Sequence, residues 1–225
     1  MINFTLYSNR TGNLLRLKSS EKLFNLLISL RSPWRYYHCV RVSAYASILA
    51  NSIGLSKKQT RHLQIAGVVH DIGFSAINDR ILDKQSSLTT EEYTRVKHHP
   101  VLGMRILDCY DFPEDIVKAV VQHHEAFDGS GYPVGLKGEA IGVYGRILFI
   151  AEAFDTMTND TPYRHAYTID AAMKSIQDMS NKKYDPGLVH AMLDSEELTD
   201  FYMQRDTICR HAVQSAFQGN DLFTL

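Results

Sequence analysis

The sequence predicts an all-α protein built around one main helical domain. Apolar residues recur at helical spacing through most of the 225-residue chain. Residues that favour helix N-termini, such as Ser56, Thr89 and Thr168, precede several of these apolar stripes. Prolines and glycines, including Pro33 and Gly54, fall where one stripe ends and the next begins. Together these features favour a bundle of helices joined by short turns.

The composition is that of an ordinary globular protein. Hydrophobic residues make up 44% of the chain and charged residues 22%, which argues against disorder. A formal net charge of −1 provides no overall field for a polyanion, so no nucleic-acid polymer is expected as a partner. Cys39, Cys109 and Cys209 are odd in number and form no CxxC pair, which argues against a disulfide framework or a thiolate zinc site and favours a reducing compartment.

Targeting signals are absent from the sequence pattern. The N-terminus lacks the apolar core of a signal peptide, and no run approaches the roughly 18 apolar residues of a membrane span. We therefore predict a cytoplasmic protein without a membrane partner.

Two parts of the chain are predicted. Residues 1–19 place Phe4, Leu6 and Tyr7 among polar neighbours and turn at Gly12, which indicates a short extended N-terminal arm. From Ser20 the spacing becomes helical, so residues 20–225 are predicted to form the helical domain. Its first helix carries a leucine stripe and ends before Pro33.

The second predicted helix, residues 33–53, turns His38 toward the core. That histidine is either a buried residue bonded to a backbone carbonyl or a metal ligand. The third helix begins after Ser56 and is expected to close at Gly73, bringing His70 and Asp71 to its end. A buried aspartate needs a partner, and a metal would serve both residues. The alternative is a polar aspartate beside a satisfied histidine.

Two further helices end or restart at histidine pairs. Thr89 and Glu92 form a capping box for the fourth helix, which Pro100 must kink or restart. The fifth helix begins near Pro113 with two acidic residues in its first turn. The histidines at these positions are His98, His99, His123 and His124.

The remainder of the chain contains a glycine-rich loop and four more helices. Residues 128–141 hold too many glycines to be helical. A sixth helix, residues 143–158, carries Glu152 and Asp155 among core residues, and either acid could face the histidines. Thr168 caps a seventh helix, and two more follow around residues 188–193 and 196–217.

The segment HHEAFDGSGYP, residues 123–133, organises the functional hypothesis. One histidine pair alone could be a surface feature. Several imidazoles and acids at helix ends, however, form a ligand set too large for one tetrahedral ion. Two metals sharing a bridging carboxylate would use them all, and such pairs hydrolyse phosphoesters.

These residues resemble a known family. HCVRV, HDIGF, HHPVLG, HHEAFDGSGYPVGLKG and RILFIAEAFDTMTNDTPYR are similar to the successive motifs of the HD-GYP domain, a branch of the HD phosphohydrolases that degrades cyclic di-GMP. The resemblance covers residues 20–195. It implies an HD-type helical bundle and a phosphodiesterase of bacterial second-messenger signalling. It also implies two divalent transition-metal ions, iron or manganese, and cyclic di-GMP or a related cyclic dinucleotide as substrate.

The resemblance assigns roles position by position. One metal is implied to be held by His38, His70, Asp71 and Glu152. The second is implied to be held by Asp71, His99, His123 and His124. Asp71 would then bridge both ions beside a metal-bridging hydroxide. Tyr132 and Arg164 match substrate-contacting positions, and the loop of residues 129–133 is a candidate surface for a signalling protein partner.

Four departures from the family pattern qualify this assignment. Phe74 stands where HDIGK carries lysine, and Thr161 replaces the first arginine of RPYR. Glu152 replaces an aspartate ligand, and Trp34 replaces a glutamate that some members use for a third metal. Two metals are therefore expected. A metal-bound receptor or interaction module that has lost turnover is the alternative, which Phe74 and Thr161 favour and the complete ligand set opposes.

Overall fold

The structure is a computed structural model that describes residues 33–84, 86–160 and 165–217. The predicted arm at residues 1–19, the predicted first helix and the positions of Thr161 and Arg164 lie outside the described residues. Within the described part, the chain forms ten α-helices and two 3₁₀ helices. An isolated bridge between Ser180 and Tyr184 belongs to no strand. The predicted all-α class is therefore confirmed for this part of the chain.

The α-helices are numbered here in chain order. They are α1 Pro33–Ser52, α2 Lys57–Val69, α3 Asp79–Leu82, α4 Thr90–Val96, α5 His99–Asp108, α6 Glu114–Gln122, α7 Val143–Thr158, α8 Ile169–Asp178, α9 Pro186–Leu193 and α10 Glu196–Phe217. The 3₁₀ helices are Ile72–Ala76 and Gly138–Ala140.

The predicted helix caps are present. The Ser56 hydroxyl accepts from the Gln59 backbone N–H, and Gln59 Oε1 accepts from the Ser56 backbone N–H. Thr89 and Glu92 make the same reciprocal pair at the start of α4. Thr168 accepts from the backbone of α8. Each cap satisfies N–H groups that a helix start leaves without a partner, which is why local sequence located these boundaries.

The predicted end of the third helix was wrong. The helix α2 ends at Val69, and the 3₁₀ helix Ile72–Ala76 carries the chain through Gly73. A Cβ at Gly73 would lie 1.9 Å from the carbonyl oxygen of His99, so glycine is needed for close contact with α5 rather than as a helix stop. This contact joins the His70–Asp71 segment to the start of α5. The short helix α3 was also not predicted.

The core lies around α1, which packs against both α2 and α7. Tyr45 of α1 is fully buried and meets the rings of Phe154 and Phe201 edge to face, with centroids 5.0 and 5.1 Å apart. Such pairs contribute roughly 0.5–1.5 kcal/mol beyond area burial. This packing holds the C-terminal half of α1 against the C-terminal part of α7 and against α10. Among the described residues, no helix combines the length and apolar character needed to cross a bilayer.

Candidate metal centre

The structure brings seven of the predicted site residues together around Asp71. Most stand at helix ends, where a side chain can leave the packing of its own helix. They are His38 in α1, His70 and Asp71 after α2, His99 at the start of α5, His123 and His124 after α6, and Glu152 in α7. All of these except His124 and Glu152 are at most 5% exposed.

Asp71 lies at the centre of the cluster. Its Oδ2 is 3.5 Å from His70 Nε2 and 3.8 Å from His38 Nε2. Its Oδ1 is 3.4 Å from His99 Nε2 and 3.9 Å from His123 Nε2. The two carboxylate oxygens therefore face two different pairs of imidazoles, an arrangement suited to a carboxylate shared by two ions.

Three of these imidazoles are oriented by the turn that precedes them. In each, Nδ1 lies within hydrogen-bond distance of the carbonyl oxygen three residues earlier. The pairs are His70 with Gly67 at 2.7 Å, His99 with Val96 at 2.8 Å and His123 with Val120 at 2.6 Å. A carbonyl accepts only from a protonated nitrogen, so each ring carries its proton on Nδ1 and leaves the Nε2 lone pair for a metal.

His38 is oriented by a carboxylate instead. Its Nδ1 lies 2.7 Å from Asp155 Oδ2, and Arg41 donates to both oxygens of Asp155 at 2.6 and 3.0 Å. Burial opposes ionisation of Asp155, but the bonds and charges of His38 and Arg41 outweigh it and lower the pKa. Asp155 thus lies behind a candidate ligand, while Glu152 faces the cluster. In the sequence, Arg41 follows His38 by three residues and Asp155 follows Glu152 by three residues. This matching i, i+3 spacing is the sequence signal that could have indicated the role of Asp155 in orienting His38.

The donor atoms form three groups, in each of which all atoms lie within 4.8 Å of one another. The groups are His38–His70–Asp71, His99–His123–His124 and His70–His123–Glu152. The Nε2 atoms of His99 and His123 approach to 3.0 Å. Both Nε2 atoms carry a lone pair and no proton, so they would repel each other at this distance. A cation bound to both nitrogens would remove this repulsion.

Buried polar atoms that lack hydrogen-bond partners show whether the cluster is suited to a metal. Among the described residues, His70 Nε2, Asp71 Oδ1 and Glu152 Oε2 are buried and lack a hydrogen-bond partner. Such atoms each cost roughly 1–3 kcal/mol when nothing satisfies them. All three point into the same cluster of nitrogen and oxygen donors. The residues present therefore fit divalent metal ions, which would satisfy these atoms together.

The electrostatics of the cluster also suit a cation. Burial lowers the pKa of His70, His99 and His123, and lowers that of His124 to about 3. The rings are thus neutral near pH 7, the form that binds metal. Burial, followed by the charges of Asp71 and Asp155, raises the pKa of Glu152 well above its usual value. A bound cation would oppose that shift and favour the carboxylate.

Two aromatic residues occupy positions where the HD-GYP pattern has charged side chains. Phe74 stacks on the imidazole of His99, with centroids 4.2 Å apart and planes 19° apart. Trp34 lies parallel to the His38 ring at 5.5 Å. Both line a cavity of about 450 Å³ that also reaches Asp71 and Glu152. Aromatic surface thus replaces the lysine of the family motif at position 74 and the glutamate that some members carry at position 34.

The glycine-rich loop places Tyr132 against the cluster. Its ring stacks on His124, with centroids 4.6 Å apart. Glu125 anchors the loop: it is 1% exposed and accepts the backbone N–H groups of residues 134–136. A Cβ at Gly131 would lie 2.2 Å from the Ala126 nitrogen, so the loop requires glycine there. Glu125 was not assigned a role from the sequence, although HHE was recognised as a motif.

Comparisons with known proteins agree with this geometry. The family model described as HD domain matches residues 22–188. The chain belongs to the HD domain family. Membership of the HD phosphohydrolases, expected from the motifs, is confirmed.

Two curated relatives are similar over most of this chain. One is a cyclic di-GMP phosphodiesterase of Thermotoga maritima, 36% identical over 80% of this chain and 50% of the relative. The other is the cyclic di-GMP phosphodiesterase response regulator RpfG of Xanthomonas campestris pv. campestris, 38% identical over 68% of this chain and 41% of the relative. The chain therefore spans half or less of the length of these two proteins.

A solved structure shares the fold. A cyclic GMP-AMP specific phosphodiesterase of V. cholerae superposes with a TM-score of 0.63 at 19% identity, covering 83% of this chain and 53% of that one. At this identity the likeness concerns the fold alone. The predicted HD-type helical bundle is confirmed for the described residues.

Proposed function

We propose that this chain is a metal-dependent phosphodiesterase that hydrolyses cyclic di-GMP, or a related cyclic dinucleotide, in bacterial second-messenger signalling. The observation that carries the proposal is the position of Asp71, whose two oxygens face two separate pairs of buried imidazole Nε2 atoms. The names of the two curated relatives support the choice of substrate. The cytoplasmic location stays a prediction from the cysteine pattern.

The proposed ligands divide into two sets that share Asp71. The first set is His38, His70, Asp71 and Glu152, and the second is Asp71, His99, His123 and His124. The grouping of donor atoms supports this division, with Glu152 also near His123 of the second set. Iron or manganese is the proposed metal, since imidazole and carboxylate ligands suit both. The stacking of Trp34 on His38 supports two ions rather than three, because no carboxylate is supplied at that position.

The chain's own residues prepare this site for hydrolysis. Asp71 holds the two sets together, and the Nδ1 hydrogen bonds fix the direction of each imidazole. Tyr132, packed on His124, is proposed to contact the substrate beside the ligands. Arg164 stays a predicted phosphate contact. Bound divalent ions would supply Lewis acidity and lower the pKa of a water molecule that attacks phosphorus.

A combined assay tests the proposal. Protein purified without oxygen should contain about two ions per chain, as two-metal hydrolases do, and should convert cyclic di-GMP to a linear product resolved by chromatography. An inactive Asp71→Asn preparation would serve as the control for contaminating hydrolases. Metal-replete protein holding at most one ion, or turning over no cyclic dinucleotide, would contradict it.

A metal-bound cyclic-dinucleotide receptor or interaction module is the second candidate. The stacking of Phe74 on His99 favours the receptor, because position 74 then lacks the cation that the family motif places beside the scissile phosphate. The loop of residues 129–133 is proposed as its surface for a signalling protein, next to the 68%-exposed Val134. Metal-dependent binding of cyclic di-GMP without product formation would support the receptor over the enzyme.

A further inference from the structure

Arg35 lies next to the residue that replaces the family's lysine. It follows Trp34 on α1, and its guanidinium carbon is 5.3 Å from the centre of the Phe74 ring. The same Phe74 ring stacks on His99, a member of the metal cluster. An aromatic face attracts a guanidinium and limits the directions it can adopt. Phe74 therefore connects a cation from α1 to the ligand cluster.

Among the residues that the structure describes, two with positively charged side chains line the cavity beside the cluster: Arg35 and Lys84. Lys84 is already paired, since its Nζ donates to Glu92 Oε2 at 2.6 Å. Among the described residues, no carboxylate lies within ion-pair distance of Arg35. A half-buried guanidinium at a cavity wall, held by a ring rather than by an acid, retains its donors for an anion.

We propose that Arg35 binds a phosphate group of the substrate and supplies, from α1, the cation that position 74 lacks. This inference rests on the proposed function for its substrate, a cyclic dinucleotide. A guanidinium presents paired N–H donors that match two phosphate oxygens, which suits a phosphodiester entering between Arg35 and Asp71. Phe74 acts as the platform for Arg35.

Binding of inorganic phosphate to the metal-loaded protein provides the first test, because it does not depend on turnover. Calorimetric titration of Arg35→Met should show at least tenfold weaker phosphate binding, with metal content and melting temperature unchanged. Arg35→Lys should lose less phosphate affinity than Arg35→Met, because lysine keeps the positive charge although it lacks the paired donors. Arg105→Met, at an exposed position of α5 that does not line the cavity, is the matched control and should bind phosphate as the wild type does.

A rescue variant tests the relationship with Phe74. Adding Phe74→Lys to Arg35→Met should recover phosphate affinity, whereas Phe74→Leu alone should reproduce part of the loss by removing the platform. Cyclic di-GMP affinity, measured with the same variants, should follow the same order.

The failures of the two proposals are distinguishable. Equal phosphate affinity in Arg35→Met and wild type would overturn the assignment of Arg35, whether or not cyclic di-GMP is hydrolysed. No phosphate binding to the metal-loaded wild type, or metal loss in Arg35→Met, would overturn it as well. A wild type that binds phosphate through Arg35 but neither binds nor hydrolyses cyclic dinucleotides would overturn the proposed function alone.

Discussion

His38 and Asp155 form a buried hydrogen bond of 2.7 Å between Nδ1 and Oδ2. The bond joins α1 to α7 and turns the opposite nitrogen of the ring toward Asp71, 3.8 Å away. Arg41 holds Asp155 from the other side and keeps its charge balanced. Carboxylates behind metal-bound histidines orient the ring and increase its basicity. Asp155 is thus a positioning residue for the proposed metal site.

Substitution Asp155→Asn should weaken metal binding about 10- to 100-fold, because it removes the charge that orients and polarises His38. Competition with a chromophoric chelator measures the affinity, and thermal unfolding checks that the variant is folded. Asp178→Asn, exposed at the end of α8, serves as the control. A folded Asp155→Asn protein with wild-type metal affinity would exclude the positioning role.

Substitution Asp71→Asn should keep the shape of the cluster while losing metal from both proposed sites, since the amide cannot supply two anionic oxygens. Elemental analysis after dialysis gives the metal content per chain. His98→Gln is the control, because His98 is exposed and its Nδ1 is bonded to the Thr94 carbonyl. Equal metal content in Asp71→Asn and wild type would refute the bridging assignment.

Substitution Glu152→Gln should alter the pH dependence of the metal-free protein. Because the folded-state pKa of Glu152 is raised, its contribution to stability is present at low pH and is lost as pH rises through that pKa. The variant, which cannot ionise, should therefore gain in melting temperature relative to wild type as pH rises above about 4.3, the ordinary pKa of a glutamate.

Measurements in excess chelator isolate this effect, and Glu139→Gln, at an exposed position outside the cluster, provides the control. Saturating metal should reverse the order, since the wild-type carboxylate then has a cation beside it. A variant-minus-wild-type difference that stays constant with pH would show that folding does not raise the pKa of Glu152.

Substitution Gly73→Ala should separate the Asp71 segment from α5, because the new Cβ would lie 1.9 Å from His99 O and 2.7 Å from Gly103 N. Overpacking of this kind costs about 1–3 kcal/mol, and more where backbone must move. The free energy of unfolding, measured with denaturant, and the metal content per chain should both fall. Gly187→Ala, within α9, meets only the side chain of Asp185 at 3.3 Å and should change neither. Unchanged metal content in Gly73→Ala would mean that the contact with α5 does not position the ligands.

Local sequence patterns predicted the helical class, most helix boundaries and the side chains suited to binding a metal. Ser56, Thr89 and Thr168 satisfy backbone donors within their own turns, so the information for these helix starts is local. Histidines at helix ends could be recognised from spacing and from the motifs in the same way. The arm at residues 1–19, Arg164 and the roles of the individual ligands stay predictions.

Which of these side chains meet depends on how the helices pack against one another. Glu152 and Asp155 lie three residues apart on α7, and spacing left both able to face the histidines; packing against α1 places Asp155 behind His38 and Glu152 in the cluster. The contact of Arg35 with Phe74 likewise joins residues from different elements. Such contacts depend on how helices pack and on where a glycine such as Gly73 permits close approach, and neither quantity is local to a motif.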